Sequence, residues 1–531
     1  MLYPSSGGDS VAAAIRPDKR AGVTNIVSLS LKDLSTRALG QRVRHLRDDP
    51  TIPLCVNLEG AILRTGTTAE LALALLRRRP WMLFVMLAWL LKGREEFRGQ
   101  VTRHAVFEPA SLPYRRPVLA FLRREAASGR EIFLITRARS DVARAIANHL
   151  GLFSEVIEIA HDETPKGETI AKALCARFGS GDFDYAGNGH VDIPVWQTAR
   201  RSVIVAPSPL LLKNQVWNSQ MADVLCPDDR VSGRYVDALH PGRWIKNLLI
   251  FIPLLDAANR SSAHFVVSAY LAFCAYCLIA SAGYVANDLI DLRADRRHAV
   301  KHRRVFASAR LSIPRGLLLA PGLAAAGLGI AFFLSPLLAG WMAIYLGLSL
   351  CYSLWLKKTL ILDIFALTAM TLHRIFAGFI IAASLPPFWL LLFAGFFFFG
   401  LAMLARYGEL KSSRFSGSRQ ATRAGAYRPG DQDILASFGL ASGYLSAAIL
   451  ALYAVTPDAQ AAFRTPEALW LLCPLLLYWI SRVWIFARRG RIPEDPILFA
   501  LKDPASRYAA LASVAIFLLA ALVKLPDMTL I

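Results

Sequence analysis

The stretch YVANDLIDLRADRRHAVKHRR (284–304) places acidic side chains and a basic run at the end of a long apolar segment. Asp288, Asp291 and Asp295 are separated by three and four residues, so a helix would carry all three carboxylates on one face. Clustered carboxylates close to lipid repel one another unless a cation lies between them. Hard oxygen ligands of this kind suit Mg²⁺, especially when a diphosphate completes the coordination shell. The stretch therefore predicts a magnesium and diphosphate site at a membrane surface.

The basic residues that follow supply positive charge for phosphate groups; they are Arg293, Arg296, Arg297, Lys301, Arg303 and Arg304. A loop that only fixes membrane topology would explain these basic residues, but it would not explain the acidic spacing at the end of a span. We therefore take Asn287, Lys301 and Arg304 as candidate substrate-binding residues beside the three carboxylates.

The composition of the whole chain is typical of a membrane protein. Of the 531 residues 55% are hydrophobic, yet the formal net charge is +21, and the mean hydropathy is +0.39. Soluble folds rarely combine these properties, whereas membrane proteins do so by placing basic loops beside apolar helices. Binding to nucleic acid is disfavoured, because the basic residues cluster beside the apolar runs.

Nine apolar runs after about residue 243 predict nine transmembrane helices, most of them near the roughly 20 residues that span a bilayer. They cover about 245–258, 265–287, 315–334, 337–356, 360–383, 387–407, 434–454, 467–486 and 508–526. If the N-terminal part is cytoplasmic and the runs alternate, the cytoplasmic connections carry 22 Lys and Arg residues and the opposite connections carry two. This bias predicts a multi-pass protein of the inner (cytoplasmic) membrane, with its N-terminal domain inside and its C-terminus outside.

The chain before about residue 240 alternates short β-like runs with helical patterns. The runs predicted as buried strands are 52–59, 130–138, 154–160, 183–188 and 202–207, and helical patterns such as 140–151 and 167–179 separate them. This alternation predicts a Rossmann-like α/β domain with a mostly parallel sheet at about 46–235. The polar tail at 1–45 is expected to be partly disordered.

A short apolar run at about 80–92 fits neither part of the chain well. It is too short to span a bilayer, and basic residues flank it. We interpret it as an interfacial helix that rests the front domain on the membrane, with a buried helix of that domain as the alternative.

The motif Asn287–Asp295 resembles the first acidic motif of the UbiA superfamily of membrane prenyltransferases, and the resemblance extends over about 238–531. It implies an all-α fold of nine transmembrane helices around a central cavity. It also implies a Mg²⁺ ion held by Asp288, Asp291 and Asp295 against a substrate diphosphate.

Further motifs resemble those of one branch, the decaprenyl-phosphate phosphoribosyltransferase-like proteins. They are HPGRWIKNLLIFIPLL (240–255), YSLWLKKTLILDIFAL (352–367), LHRIFAG (372–378), ARYGELK (405–411) and EDPILFALKDPASR (494–507). The resemblance implies a catalytic role for Asp363 and substrate contacts from Lys246, Asn247, Tyr352, Lys357, Arg374, Tyr407, Glu409 and Lys502. Three positions depart from the branch pattern, because His240, Arg243 and Ala405 stand where Arg, Gln and Lys are usual.

The second motif separates two candidate functions. Typical aromatic prenyltransferases of the superfamily carry a second D-x-x-x-D cluster, whereas Asp363 stands nearly alone beside Lys357 and Lys358. This departure favours transfer of phosphoribose from 5-phosphoribosyl diphosphate to a polyprenyl phosphate, a step of lipid biosynthesis. Prenyl transfer from a polyprenyl diphosphate to an aromatic or other small acceptor is the alternative, and a non-catalytic membrane scaffold is a third hypothesis.

The expected partners follow from these hypotheses. They are the lipid bilayer, a polyprenyl lipid and a diphosphate-bearing donor, with Mg²⁺ as cofactor. The sequence leaves open whether the protein forms a homo-oligomer.

The front domain resembles the haloacid dehalogenase family over about 50–210. CVNLEGAILR (55–64) takes the place of the D-x-D-G-T motif, and AGNGHVDIPVW (186–196) takes the place of the late acidic loop. The resemblance implies a degenerate phosphatase site formed by Asn57, Glu59, Thr136, Lys166, Asn188 and Asp192.

Three departures at this site bear on its chemistry. Asn57 replaces the nucleophilic Asp, Glu59 replaces the acid/base Asp, and Asn188 removes a metal-binding carboxylate. They predict a structural or regulatory domain. A working phosphatase that acts on the phosphorylated product of the membrane step is the alternative.

Overall fold

The computed structural model describes residues 49–105, 108–136, 140–159, 166–206, 222–225, 234–255, 262–298, 301–415, 427–492 and 495–524. The tail predicted at 1–45 lies outside these residues. The described chain forms an α/β front domain followed by a helical part whose apolar helices are long enough to cross a membrane. This arrangement confirms the predicted fold class of both parts.

A six-stranded parallel sheet forms the centre of the front domain, in the order β3-β2-β1-β4-β5-β6. The strands are β1 (Leu54–Asn57), β2 (Ile132–Thr136), β3 (Glu155–Glu158), β4 (Asp184–Gly187), β5 (Arg201–Val205) and β6 (Ala222–Leu225). Apolar side chains are buried on both faces of the sheet, as parallel strands covered by helices require. The five predicted strands are confirmed. The prediction lacks β6, whose sequence ADVL is interrupted by Asp223 and gives no apolar run.

Front-domain helices cover both faces of this sheet, and the last helix, Arg234–Leu239, packs on the membrane part instead. They are α1 (Thr67–Arg78), α2 (Met82–Leu91), α3 (Arg94–His104), α4 (Arg116–Ala127), α5 (Ser140–Leu150), α6 (Lys166–Phe178), α7 (Ile193–Thr198) and α8 (Arg234–Leu239). Residues of α1 and α3 line a cavity at the carboxyl ends of β1 and β2. This is the edge at which open α/β sheets bind their ligands.

The short apolar run predicted at 80–92 is helix α2. Its buried side chains are Met82 and Met86. Its large exposed side chains, with that of the preceding residue, are Trp81, Leu83, Phe84, Leu87, Leu90 and Leu91. The helix therefore presents a broad apolar surface outside the core of the front domain.

The second part of the chain consists of long apolar helices joined by short ones. They are α9 (Ala263–Ile290), α10 (Leu292–Arg297), α11 (Ile313–Leu334), α12 (Pro336–Leu354), α13 (Leu362–Ile381), α14 (Phe388–Phe415), α15 (Gln432–Tyr453), α16 (Pro457–Ala462), α17 (Leu472–Arg488), α18 (Pro496–Lys502) and α19 (Pro504–Leu522). Eight helical segments of the described chain are long and apolar enough to cross a membrane. The protein is therefore a multi-pass membrane protein.

The prediction of nine spans is corrected at its first member. In place of a helix at 245–258 the structure has a 15-residue 3₁₀ segment, Pro241–Leu255, which is not among the eight candidate spans. Pro253 lies within the segment and lacks the backbone N–H that a continuous α-helix uses. The apolar run is therefore helical as predicted, but it is shorter than the eight segments of the described residues that are long enough to cross a membrane.

This segment nevertheless runs antiparallel along α9. The Trp244 indole N–H donates to Ser281 Oγ at 3.0 Å, and the Asn247 amide contacts Cys277 Sγ at 3.3 Å. Gly378 of α13 allows the segment to approach closely, because a Cβ at this position would lie 2.3 Å from the Ile250 carbonyl oxygen. The segment is thus wedged between α9 and α13, which fixes the side chains that it contributes to the site.

Candidate active site

A cavity of about 290 Å³ lies among α9, α12, α13 and α14, and it is closed on one side by the Pro241–Leu255 segment and the start of α18. Its cationic lining residues are Arg243, Lys246, Lys301, Arg304, Lys357, Arg374 and Arg406, and its carboxylate lining residues are Asp291, Glu409 and Asp495. Positive charge therefore predominates in the cavity, as the binding of phosphate-bearing ligands requires.

The acidic motif lies at this cavity, with its carboxylates bound to cationic side chains. Asp288 contacts His240 Nε2 at 2.9 Å and Arg304 Nη1 at 2.8 Å. The same Arg304 nitrogen is 3.0 Å from Asp295, and Lys357 Nζ is 2.6 Å from Asp291. Asp288 and Asp295 are buried, so these cations offset a large cost of burying charge.

The helix that carries the motif is interrupted within it. Helix α9 ends at Ile290 and α10 begins at Leu292, with Asp291 between them. Asp288 and Asp295 share Arg304, whereas Asp291 faces Lys357. In the described part of the chain no group of three or more His, Cys, Asp or Glu side chains is already gathered for a metal ion.

Asp363 lies in a buried network beside the cavity. Its carboxylate accepts hydrogen bonds from Arg406 Nε and, at 2.7 Å, from the Tyr427 hydroxyl. Arg406 also donates to Glu409 and to the Tyr352 hydroxyl. The side chains of Asp363 and Arg406 are only 1% and 8% exposed. Arg406 therefore links Asp363 to two of the candidate substrate-binding residues.

Arg374 lies at the back of the cavity and is held by the Pro241–Leu255 segment. Its Nε donates to Asn247 Oδ1 at 2.8 Å, and its Nη2 donates to the Tyr345 hydroxyl at 2.6 Å. The guanidinium also lies over the rings of Tyr276 and Tyr345. These contacts fix its orientation, so Asn247 acts on the site through Arg374.

Lys246 is paired across the cavity wall with Asp495. The distance between Lys246 Nζ and Asp495 Oδ2 is 2.7 Å. Burial would raise the pKa of Asp495, but the adjacent Lys246 ammonium lowers it below the ordinary value of an aspartate. The Asp495 carboxyl is therefore ionised at neutral pH where it borders the cavity beside Lys246.

Nine of the fifteen sequence-predicted residues of the membrane part line the cavity, and six do not. Asn287, Lys301, Tyr352, Lys357 and Glu409 are among the nine. Four of the six contact lining residues from behind: Asp288 and Asp295 bind Arg304, Asp363 binds Arg406, and Asn247 binds Arg374. Tyr407 is instead buried against Trp484 of α17, and Lys502 is exposed at the end of α18. Neither Tyr407 nor Lys502 is among the lining residues.

Three residues that were not predicted as site residues form ion pairs with predicted ones: His240, Arg406 and Asp495. Arg406 carried a usable signal, because an arginine within an apolar run of membrane-spanning length usually has a functional or pairing role. His240 and Asp495 lie in motifs quoted above, but their pairing with Asp288 and Lys246 depends on the tertiary fold and could not be read from the sequence.

The front domain has a second cavity, of about 380 Å³, which is lined by Asn57, Glu59, Thr136, Asn188 and Asp192 of the predicted front-domain site. Asn57 Nδ2 donates to Asp192 Oδ1 at 3.1 Å. The same carboxylate accepts from the Tyr185 hydroxyl at 2.9 Å and from the backbone N–H groups of Asn188 and Gly189 at 2.8 and 3.1 Å. Burial raises the pKa of the Asp192 carboxyl, although these four donors oppose the shift.

The other residues of this site are also brought together. Glu59 accepts hydrogen bonds from the backbone N–H and hydroxyl of Thr67 at the start of α1. Gly60 has φ +97°, and a Cβ there would lie 2.1 Å from the Asn188 side chain. Thr136 is buried at the end of β2. Lys166 begins α6, but its side chain lies outside the described part of the chain.

Comparison with known proteins identifies a family for the transmembrane part. Residues 248–502 match the UbiA prenyltransferase family. The uncharacterized protein y4nM of Sinorhizobium fredii is 30% identical over 475 residues, which are 89% of this chain and 92% of that protein. A decaprenyl-phosphate phosphoribosyltransferase of Mycolicibacterium smegmatis is 35% identical over 198 residues, which are 36% of this chain and 62% of that protein.

Two solved structures have lower similarity. A UbiA homolog from Archaeoglobus fulgidus, bound to GPP and Mg²⁺, has 15% identity and a TM-score of 0.41, over 54% of this chain and 99% of that one. A phosphoserine phosphatase has 12% identity and a TM-score of 0.23, over 32% of this chain and 92% of that one.

The cavity, its acidic motif and the surrounding apolar helices define a membrane-embedded transferase. Over residues 248–502 the transmembrane part of the chain is that of the UbiA prenyltransferase family, and an α/β domain with a six-stranded parallel sheet precedes it.

Replacing Arg406 with Ala should destabilise the protein and abolish its activity. The substitution leaves the carboxylates of Asp363 and Glu409 without their guanidinium, and breaking a buried ion pair in this way costs about 3–5 kcal/mol. Thermal unfolding in detergent would measure the loss, with Arg315→Ala, at an exposed position, as control. Equal melting temperatures for the two variants would contradict the structural role of Arg406.

Proposed function

We propose that the protein transfers phosphoribose from 5-phosphoribosyl diphosphate to a polyprenyl phosphate in a Mg²⁺-dependent reaction. The observation that carries this proposal is the second motif, in which the lone carboxylate Asp363 is bound by Arg406 and Tyr427. A prenyltransferase with two acidic clusters would instead present a second set of carboxylates to the cavity. The similarity to a decaprenyl-phosphate phosphoribosyltransferase supports the same function.

The acidic motif fits a divalent cation by the chemistry of its donors. Asp288, Asp291 and Asp295 supply hard oxygen ligands, and each already has a cationic partner within the protein. When bound there, Mg²⁺ would supply Lewis acidity that stabilises the negative charge of the leaving diphosphate.

The cationic partners of the motif suit a second role as phosphate ligands. Arg304 and Lys357 line the cavity and contact the motif carboxylates. A donor diphosphate would offer them new anionic partners, so that their charge is shared between protein and substrate in charge-assisted hydrogen bonds. Lys246 and Arg374 lie on the same cavity and would hold further phosphate oxygens.

The acceptor needs orientation more than activation. A lipid phosphate is anionic at neutral pH, so its oxygen can attack C1 of the ribose as the bond to diphosphate breaks, without a strong general base. Transfers of this type build positive charge on the sugar ring. The polyprenyl chain would leave the cavity along its apolar side, which is lined by Leu367, Met370, Phe398, Leu401 and Ile497.

A transfer assay on purified protein in detergent tests this function. Radiolabelled 5-phosphoribosyl diphosphate and a polyprenyl phosphate are combined with and without Mg²⁺. We expect Mg²⁺-dependent label in the lipid fraction, and a loss of about a hundredfold or more in Asp288→Asn, because a carboxylate of the charged site becomes neutral. Asp458→Asn, at an exposed position in α16, is the matched control.

The same assay contains the result that would overturn the proposal. If no label moves, but a polyprenyl diphosphate loses diphosphate to an aromatic acceptor, the protein is a prenyltransferase of the ordinary kind.

We further propose that the cavity opens on the cytoplasmic side of the inner membrane and that α2 lies on the lipid surface there. The basic loop bias supports the first point. The exposed apolar side chains of α2, flanked by Arg77–Arg79 and Lys92, support the second.

A fluorophore attached to Phe84→Cys tests the placement of α2. In liposomes with brominated lipids we expect its emission to be quenched, because the side chain would enter the bilayer interface. Asn148→Cys, exposed elsewhere on the front domain, is the control, and the unsubstituted protein gives the labelling background. Equal quenching at both positions would contradict interfacial placement.

We also propose that the front domain is not a working phosphatase. Asn57 has an amide where the family nucleophile stands, and it donates that amide N–H to Asp192. The Asp192 carboxylate thus accepts four protein hydrogen bonds at a place where a metal ion would need its oxygen atoms. An amide–carboxylate hydrogen bond takes the part of the missing cation.

Asn57→Asp tests this account of the front site. It places a second carboxylate beside Asp192, so the loss of the hydrogen bond should destabilise the domain by about 1–3 kcal/mol. We expect Mg²⁺ to raise the melting temperature of this variant by binding between the carboxylates, and to leave Asn148→Asp unaffected. Mg²⁺-dependent hydrolysis of p-nitrophenyl phosphate by the unsubstituted front site would show that the domain is active.

A further inference from the structure

An arginine directly after the acidic motif binds the front domain in a buried ion pair. Arg296 follows Asp295 directly in α10, and its guanidinium binds Glu70 of α1. Nη1 and Nη2 donate to the two carboxylate oxygens at 2.9 and 2.7 Å, and both side chains are only 9% exposed. This bidentate geometry is the most restrictive that an arginine and a carboxylate can form.

Both partners of this pair are fixed by further contacts. The Thr65 hydroxyl donates to Glu70 Oε1 at 2.6 Å. Arg296 also donates to the carbonyl oxygen of Ser111 in the front domain at 3.3 Å and to that of Ala307 in its own loop at 3.4 Å. One guanidinium therefore joins α10, the loop after it and two segments of the front domain.

Apolar packing continues the contact along α1. Leu73, which lies one turn after Glu70, is buried in a cluster that contains Leu289, Leu292 and Phe306. Leu289 and Leu292 flank Asp291, and Leu289 follows Asp288 directly. Helix α1 thus packs on the backbone segment that carries the first two carboxylates and is bonded to the short helix that carries the third.

The other ion pairs at this contact are of a weaker kind. Glu108 pairs with Arg293 and Arg297, but its side chain is 44% exposed and that of Arg297 is 54% exposed. Solvent screens such pairs, and they contribute little to stability. Within the described residues of this contact, the Glu70–Arg296 pair is therefore the one built to fix a position.

We infer that Glu70 is a positioning residue of the transferase site. Through Arg296 it fixes α10 and so sets the place of the Asp295 carboxylate relative to Asp288 and Arg304. Without Glu70, the Arg296 guanidinium would be free to move towards the carboxylates of the acidic motif. It would then compete with a divalent cation for those carboxylates. The front domain thus takes part in metal binding at the membrane site. This inference rests on the metal-binding role of the acidic motif within the proposed function.

Metal affinity tests the inference without any need for the true donor. Mn²⁺ binding to the full-length protein in detergent is followed by electron paramagnetic resonance, with inorganic pyrophosphate as the diphosphate probe. We expect Glu70→Gln and Arg296→Lys each to weaken Mn²⁺ binding at least fivefold, because the first removes the carboxylate charge and the second keeps the cation but loses the bidentate geometry.

A double variant and a matched control distinguish a positioning role of the Glu70–Arg296 pair from two other effects of the substitutions, a change in local charge and a loss of stability. The pair acts as one unit, so Glu70→Gln with Arg296→Lys should bind Mn²⁺ no more weakly than either single variant. Glu108→Gln removes a negative charge from the same contact and should change Mn²⁺ affinity less than twofold. Melting temperatures without metal show how far each variant is merely destabilised.

Several results of the Mn²⁺ binding experiment would overturn the positioning role of Glu70. Unchanged Mn²⁺ affinity in Glu70→Gln, or losses equal to those of Glu108→Gln or fully additive in the double variant, overturn the inference. So does a wild-type protein that binds no Mn²⁺ with pyrophosphate. Failure of phosphoribosyl transfer alongside a Glu70-dependent Mn²⁺ affinity would instead reject the proposed substrate and leave the inference standing.

Discussion

The burial of negative charge beside a membrane is the constraint on which this structure depends. Asp288, Asp295 and Asp363 are almost fully buried, and each is bound by an arginine. Removing such a charge from water costs several kcal/mol, so each carboxylate requires its partner in a fixed place. The helices and loops around the cavity supply those partners, and the electrostatic balance of the carboxylates accounts for much of the architecture of the site.

The two halves of the protein use polar pairing in different ways. In the membrane part, cations neutralise carboxylates that have the ligand chemistry of a divalent metal site. In the front domain, the Asn57 amide and three further donors satisfy Asp192, and the site holds its shape through neutral hydrogen bonds. An α/β domain whose buried Asp192 is satisfied by donors within the protein is suited to a supporting role, which agrees with the contact between α1 and the acidic motif.

Local patterns in the sequence predicted the parts of this structure that depend on neighbouring residues. Apolar runs of membrane-spanning length, the β-like runs of the front sheet and the spacing of the acidic motif were all visible. Contacts over long separations were not: Lys246 with Asp495, Asp288 with His240 and Arg296 with Glu70 join residues that only the tertiary fold brings together. The Pro241–Leu255 segment was predicted as a span from its apolar composition, which does not reveal that the segment is a 15-residue 3₁₀ helix containing Pro253.

The fusion of the two domains in one chain also raises the effective concentration of each domain near the other. The contact between them relies on one buried ion pair, a few exposed pairs and a small apolar cluster, which would be weak between separate chains. A covalent link gives each partner an effective concentration on the order of millimolar near the other, so even a weak contact is occupied. Every transferase unit then carries one supporting domain, independent of the expression level of any second gene.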